Sequence, residues 1–140
     1  MRCKDLRNHK LEITNTKQIE GTKNQNRKQY DLEERTLDFA KGVIEFVKTL
    51  PRTAANTEIA KQVIRSSGSV GANYIEANES LSKKDFAMRI KICRKESKET
   101  SYWLKLAELK NSGGENKRGV PIGEAMQLTK IFSSIAEKSK

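Results

Sequence analysis

Residues 57–77 read TEIAKQVIRSSGSVGANYIEA and residues 86–107 read FAMRIKICRKESKETSYWLKLA, and these two stretches decide the fold. In the first, Ile59, Val63, Ser66, Val70, Asn73 and Ala77 recur at steps of three and four, the period of one helix face. In the second, Phe86, Ile90, Cys93, Ser97, Thr100, Leu104 and Ala107 do the same, with Met88, Ile92, Trp103, Leu106 and Leu109 on a strip beside them. Only a short link separates the two. Ser82 caps the second helix, with Asp85 three residues on in a capping-box arrangement. Two long helices joined so briefly must be antiparallel neighbours. The centre of the first is built of small residues, Ser66, Ser67, Gly68, Ser69, Gly71 and Ala72. Two glycines inside a helix cost roughly 2 kcal/mol against alanine, a loss that close approach of another helix offsets. The apolar register runs straight through them, so one unbroken helix is expected. The second helix is predicted to reach about Lys110, roughly 40 Å at 1.5 Å per residue.

Upstream, the spacing predicts a helix from Asp31 to Leu50, with Asp31 as cap and Glu33 and Glu34 in its first turn. Its stripe is Leu32, Leu37, Ala40, Val43, Ile44, Val47 and Leu50, with Phe39 and Phe46 on a neighbouring strip, and Pro51 stops it. Asn56 or Thr57 starts the next helix. Downstream, residues 111–120 read as a loop, and Pro121 suits the first turn of a last helix over 121–138. Its stripe is Ile122, Ala125, Met126, Thr129, Phe132 and Ala136. The fold class is therefore all-α, an antiparallel up-down-up-down four-helix bundle over residues 31–140. Residues 1–30 lack any apolar period and read as a flexible basic arm, with at most a turn of helix around Leu6–Ile13.

The chain carries 28 Lys and Arg against 18 Asp and Glu, a net charge of +10. The excess lies in residues 1–30 and in residues 82–111, each net +5. Such a stripe attracts polyanions, and phosphate contacts supply most non-specific nucleic-acid affinity. A lysine-rich helix face also serves plain solubility. Cys3 and Cys93 are too far apart in setting to suggest a disulfide framework. No apolar run suits a signal core or a membrane span, so a cytoplasmic protein is expected.

A set of polar residues at core-like positions carries a family likeness. Pro51, Gln62, Arg65, Ser66, Ser69, Ala72-Asn73, Glu76-Ala77, Phe86, Lys95-Glu96, Glu99-Thr100 and Tyr102-Trp103-Leu104 resemble the four-helix bundle proteins encoded in intervening sequences of bacterial 23S ribosomal RNA genes. The likeness covers about residues 32–138 and is densest over 62–77 and 95–104. It implies a small bundle that assembles as a homopentamer, with a ribosomal RNA association that comes mainly from gene location. It also implies kinship with pentameric bundles that bind nucleic acid as accessory proteins of diversity-generating retroelement reverse transcriptases. The long basic arm departs from that pattern.

Three groups of residues could carry function. Lys83, Lys84, Arg89, Lys91, Arg94, Lys95 and Lys98 form a basic stripe for a polyanion, although Lys95 could instead pair with Glu99 one turn on. Gln62, Arg65, Asn73, Glu76, Glu96 and Glu99 could form a polar network between the two central helices, which reads better as a device that fixes register than as an active site. Tyr102, Trp103 and Leu106 suit a contact between copies, or a platform on which bases stack. Phe39, Phe46, Tyr74 and Ile75 would extend the apolar surface for assembly. The single histidine, His9, lies in the arm, so neither a di-iron carboxylate site nor a histidine-assisted nucleophile is expected in the bundle. No enzyme activity, metal or cofactor is expected. The expected partners are further copies of the chain and a ribosomal or other RNA or DNA. The rival reading is a scaffold that docks a reverse transcriptase or another protein.

Overall fold

The computed structural model describes residues 17–111 and 113–140, with side chains from Leu32 onward. Its elements are four helices: α1 (Lys17–Val47), α2 (Ala54–Asn78), α3 (Lys83–Leu106) and α4 (Gly114–Lys138). They run up-down-up-down. Each packs on the next and α4 closes back on α1, most closely between α2 and α3 and most loosely between α1 and α4.

Helix α1 starts at Lys17 rather than at Asp31, so the later part of the expected basic arm has helical backbone. Residues 17–30 hold no proline and are rich in Lys and Gln, which favour helix. The expectation for Leu6–Ile13 lies outside the described residues. The core stripe of α1 is Leu32, Thr36, Phe39, Val43 and Phe46, all buried. This corrects the predicted register. Leu37 and Ile44 face outward, and Phe39, Phe46 and Tyr74, expected on an outer surface, fill the interior, with Tyr74 against Phe132 at 5.8 Å between ring centres.

Helix α2 is unbroken through Gly68 and Gly71. An added Cβ on Gly71 would lie 2.9 Å from Thr36 Oγ1 and 3.2 Å from Thr36 Cβ, so α1 and α2 touch there as closely as side chains permit. Gly68 meets nothing within 4 Å and is exposed. Thr53, not Asn56, caps α2: its hydroxyl accepts from Asn56 N at 3.0 Å and donates to Glu108 at 2.9 Å. Asn56 is buried and does other work. Its amide donates to Pro51 O and to Glu108 O, each at 2.9 Å, and its Oδ1 accepts from Glu108 N at 2.8 Å. That last bond takes the N–H with which α3 would have continued. The helix therefore stops at Leu106 instead of Lys110, with Ala107 extended.

Ser82 caps α3 as expected, its hydroxyl accepting from Asp85 N at 3.0 Å. Three small hydroxyl residues on the α2–α3 seam, Ser66, Ser97 and Thr100, are buried and paired. Ser66 and Thr100 bond each other at 2.8 Å across it, and Thr100 and Ser97 donate to carbonyls one turn back on α3. Such partners offset the cost of burying a hydroxyl.

Helix α4 starts at Gly114, so the predicted loop over 111–120 is mostly helix and Pro121 lies inside it, buried. Arg118 explains this. Its guanidinium donates to Ala107 O at 2.9 Å and Lys105 O at 3.1 Å, the open carbonyls at the end of α3, and to Glu115 at 2.7 Å. A cation on the last carbonyls of a helix complements its dipole, and here it also pins the first turns of α4. Ala125, Leu128, Phe132 and Ala136 then face the core, whereas Met126, expected in the stripe, is half exposed. None of the described helices is long and apolar enough to cross a membrane.

Candidate nucleic-acid interface

One edge of α3 is the core, running through Ile90, Cys93, Ser97, Thr100 and Leu104. The opposite edge follows from the same period. Lys84, Met88, Lys91, Lys95, Lys98, Tyr102 and Lys105 alternate steps of four and three, and every one is exposed. At ~1.5 Å per residue this line is roughly 30 Å long. Among the described residues, Lys84, Lys91, Lys98 and Lys105 make no ion pair. Lys95 lies 3.7 Å from Glu96, not on Glu99. Lys105 was missed by sequence reasoning, although it continues the same register from Lys98 through Tyr102.

The other predicted cations take different places. Lys83 is exposed on the flank of this line, and Arg94 is half-buried. Arg89 turns toward α2, donating to Asn73 Oδ1 at 3.0 Å and lying 3.9 Å from Glu76. It belongs to the helix–helix contact more than to the open stripe.

The predicted polar network divides in two. Asn73, Glu76 and Arg89 form the first cluster, with Asn73 Nδ2 also donating to Ser69 O at 2.9 Å. The second is centred on Arg65, whose Nη2 lies 2.8 Å from Glu99 and 3.4 Å from the buried Glu96. Glu99 also accepts the Trp103 indole N–H at 2.9 Å. Gln62 is exposed and joins neither. Trp103 is held half-buried by this pair, while Tyr102 and Leu106 stay largely in solvent, 59% and 47% exposed.

A third cluster had no sequence signal. Arg35 of α1 grips Glu124 of α4 through two bonds, at 2.6 and 2.9 Å, and reaches Gln127 at 3.1 Å. The Glu124 carboxylate raises the guanidinium's pKa above its ordinary value against the opposing effect of burial. The bond spans a groove between α1 and α4, with Phe39 and Pro121 in its walls. Such pairing depends on the rotation of two helices far apart in sequence, which spacing alone does not give. Among the described residues no group of three or more His, Cys, Asp or Glu side chains could hold a metal ion. Cys93 is buried, its Sγ 3.4 Å from Val70 O, and burial pushes its thiol up to about 12.

The chain resembles a crystal structure of a protein with unknown function from the S23 ribosomal protein family of Bacteroides thetaiotaomicron. The TM-score is 0.64 at 28% identity, over 74% of this chain and 96% of that one. No curated protein matches. The sequence model of the 23S rRNA-intervening sequence proteins matches residues 28–136. With four antiparallel helices and the polar positions of α2 and α3 that carried the likeness, the chain belongs to the 23S rRNA-intervening sequence protein family.

Proposed function

We propose that this protein binds nucleic acid through the open lysine line of α3, as a non-enzymatic homo-oligomer, expected to be a pentamer. A ribosomal RNA or retroelement transcript is the natural polyanion for a member of this family. The observation that carries the reading is the register of Lys84, Lys91, Lys95, Lys98 and Lys105, which places five ammonium groups on one solvent-facing edge. Four of them have no carboxylate partner among the described residues to neutralise them. Copies arranged around an axis would repeat the line and multiply its effect.

A salt titration with an RNA fragment tests this. Four or five phosphate contacts predict that affinity falls about 50- to 500-fold between ~50 and ~200 mM salt. Each Lys→Gln change on the line should flatten the logarithmic slope by about 0.7–0.9. Absence of micromolar binding at low salt would end the proposal.

A second reading, a protein-docking scaffold that serves a reverse transcriptase or another partner, draws on a different surface. Leu37 and Ile44 on α1 and Ile64 and Ile75 on α2 are exposed. Gly71, which abuts Thr36 of α1, lies on the same strip as Ile64 and Ile75, so these side chains flank the α1–α2 seam. This apolar edge suits contacts between copies or with another protein. Capture experiments with and without nuclease separate the readings: a partner retained after nuclease favours the scaffold. Light scattering that reports a lone protomer removes the oligomer from both.

A further inference from the structure

The lysine line is interrupted by one aromatic ring, and the neighbourhood of that ring is built. Tyr102 and Trp103 meet edge to face, 5.1 Å between ring centres and 74° between planes. Their roles differ. Trp103 is fixed from behind, because its indole N–H donates to Glu99 and Glu99 is held by Arg65 of α2. Tyr102 rests against this anchored ring with 59% of its surface in water. Lys98 stands one turn before it and Lys105 one turn after, both exposed on the same edge, and the exposed Leu106 lies beside it. An aromatic face set among cations, with an apolar neighbour, matches the two elements by which proteins hold unpaired strands: charge for the backbone and a π-surface for the base.

Resting on the nucleic-acid reading above, we propose that the preferred ligand is single-stranded, and that Tyr102 stacks on an unpaired base while Lys98 and Lys105 take the flanking phosphates. A duplex cannot use the ring. Its bases are already stacked, and the deep, narrow major groove of an RNA helix excludes side chains, so only the lysines act on it. An unpaired loop or strand engages both. The pedestal of Arg65, Glu99 and Trp103 keeps the ring from folding back onto the bundle, which lowers the ordering cost of binding.

The test compares the intact protein with Tyr102→Ala and Tyr102→Phe in fluorescence anisotropy. The probes are an unstructured RNA 20-mer, the same sequence as a duplex, and the corresponding single-stranded DNA. Tyr102 is exposed, so the variants keep the fold, which circular dichroism verifies. Tyr102→Ala should weaken single-strand binding roughly five- to hundredfold and duplex binding less than twofold, with Tyr102→Phe near wild type. The chain has one tryptophan, so Trp103 emission should change when single strand binds and not when duplex binds. Equal effects of Tyr102→Ala on both RNA forms, or none on either, overturn the stacking inference while the lysine line stands. Loss of the oligomer in Tyr102→Ala also overturns it, and assigns the ring to a contact between copies. If wild type binds neither form, the charge reading falls as well.

Discussion

Gly68 and Gly71 sit one turn apart on the same helix, and the packing assigns them opposite responses to the same change. Gly→Ala inside a helix gains about 1 kcal/mol from backbone entropy and propensity. At Gly68 nothing lies within 4 Å of the new methyl, so the gain stands alone. At Gly71 the methyl would meet Thr36 Oγ1 at 2.9 Å and Cβ at 3.2 Å. Thr36 cannot easily withdraw. It is β-branched, buried, and its hydroxyl is bonded to Glu33 O at 2.9 Å. Overpacking of this kind costs about 1–3 kcal/mol, so after the propensity gain Gly71→Ala should destabilise by up to about 2 kcal/mol. Gly68→Ala should stabilise by about 1 kcal/mol. Urea unfolding followed by far-ultraviolet circular dichroism measures both, at one fixed protein concentration because assembly contributes to apparent stability. The double variant Thr36→Ala/Gly71→Ala should recover part of the loss, since the clashing hydroxyl is gone. If Gly71→Ala proves as stable as Gly68→Ala, the close α1–α2 approach is wrong.

Arg118→Ala should cost about 1.5–3 kcal/mol, because a charged donor leaves the carbonyls at the end of α3. Amide exchange in residues 114–120 should rise with it, and unchanged exchange there would refute the pinning role. Thr100→Val should cost about 1 kcal/mol by breaking the bond to Ser66 across the α2–α3 seam, and Thr100→Ser should restore most of it in the same unfolding assay. In a Cys3→Ser background, Cys93 should resist iodoacetamide at pH 8 in the folded protein and react once denatured, since burial holds its thiol near 12. The folded value lies above the ordinary 9.0, so the unfolded chain loses its proton first. The thiol's contribution to stability is then complete below pH 9 and is lost as pH rises toward 12, which alkaline melts of wild type and Cys93→Ala compare.

The number and order of the helices were legible in the sequence because steps of three and four hold along α3 and, with Tyr74 buried in place of Asn73, along α2. Ser66, Val70, Cys93, Ser97, Thr100 and Leu104 all face the interior, where the period placed them. On α1 the period admitted two adjacent apolar strips. Leu37 and Ile44 competed with Phe39 and Phe46, and packing against α2 and α4 chose the aromatic strip. The ends of helices were less legible because tertiary bonds set them. Asn56 stops α3, and Arg118 carries α4 past the point where Pro121 would start a helix on local grounds. The basic stripe was half legible. Its register followed from spacing, but the turn of Arg89 toward Asn73 depends on how α2 and α3 are rotated against each other.

Asn56 leaves the two ends of the bundle unlike one another. Asn56 and Glu108 are 52 residues apart, yet the α1–α2 turn and the α3–α4 link both close on this one amide through Pro51 and Glu108. A move of this side chain that frees one connection disturbs its hold on the other, so a graft or cut in either reaches its distant companion. At the opposite pole the end of α2 is tied instead to α1, where Asn78 donates to Glu33 at 2.9 Å.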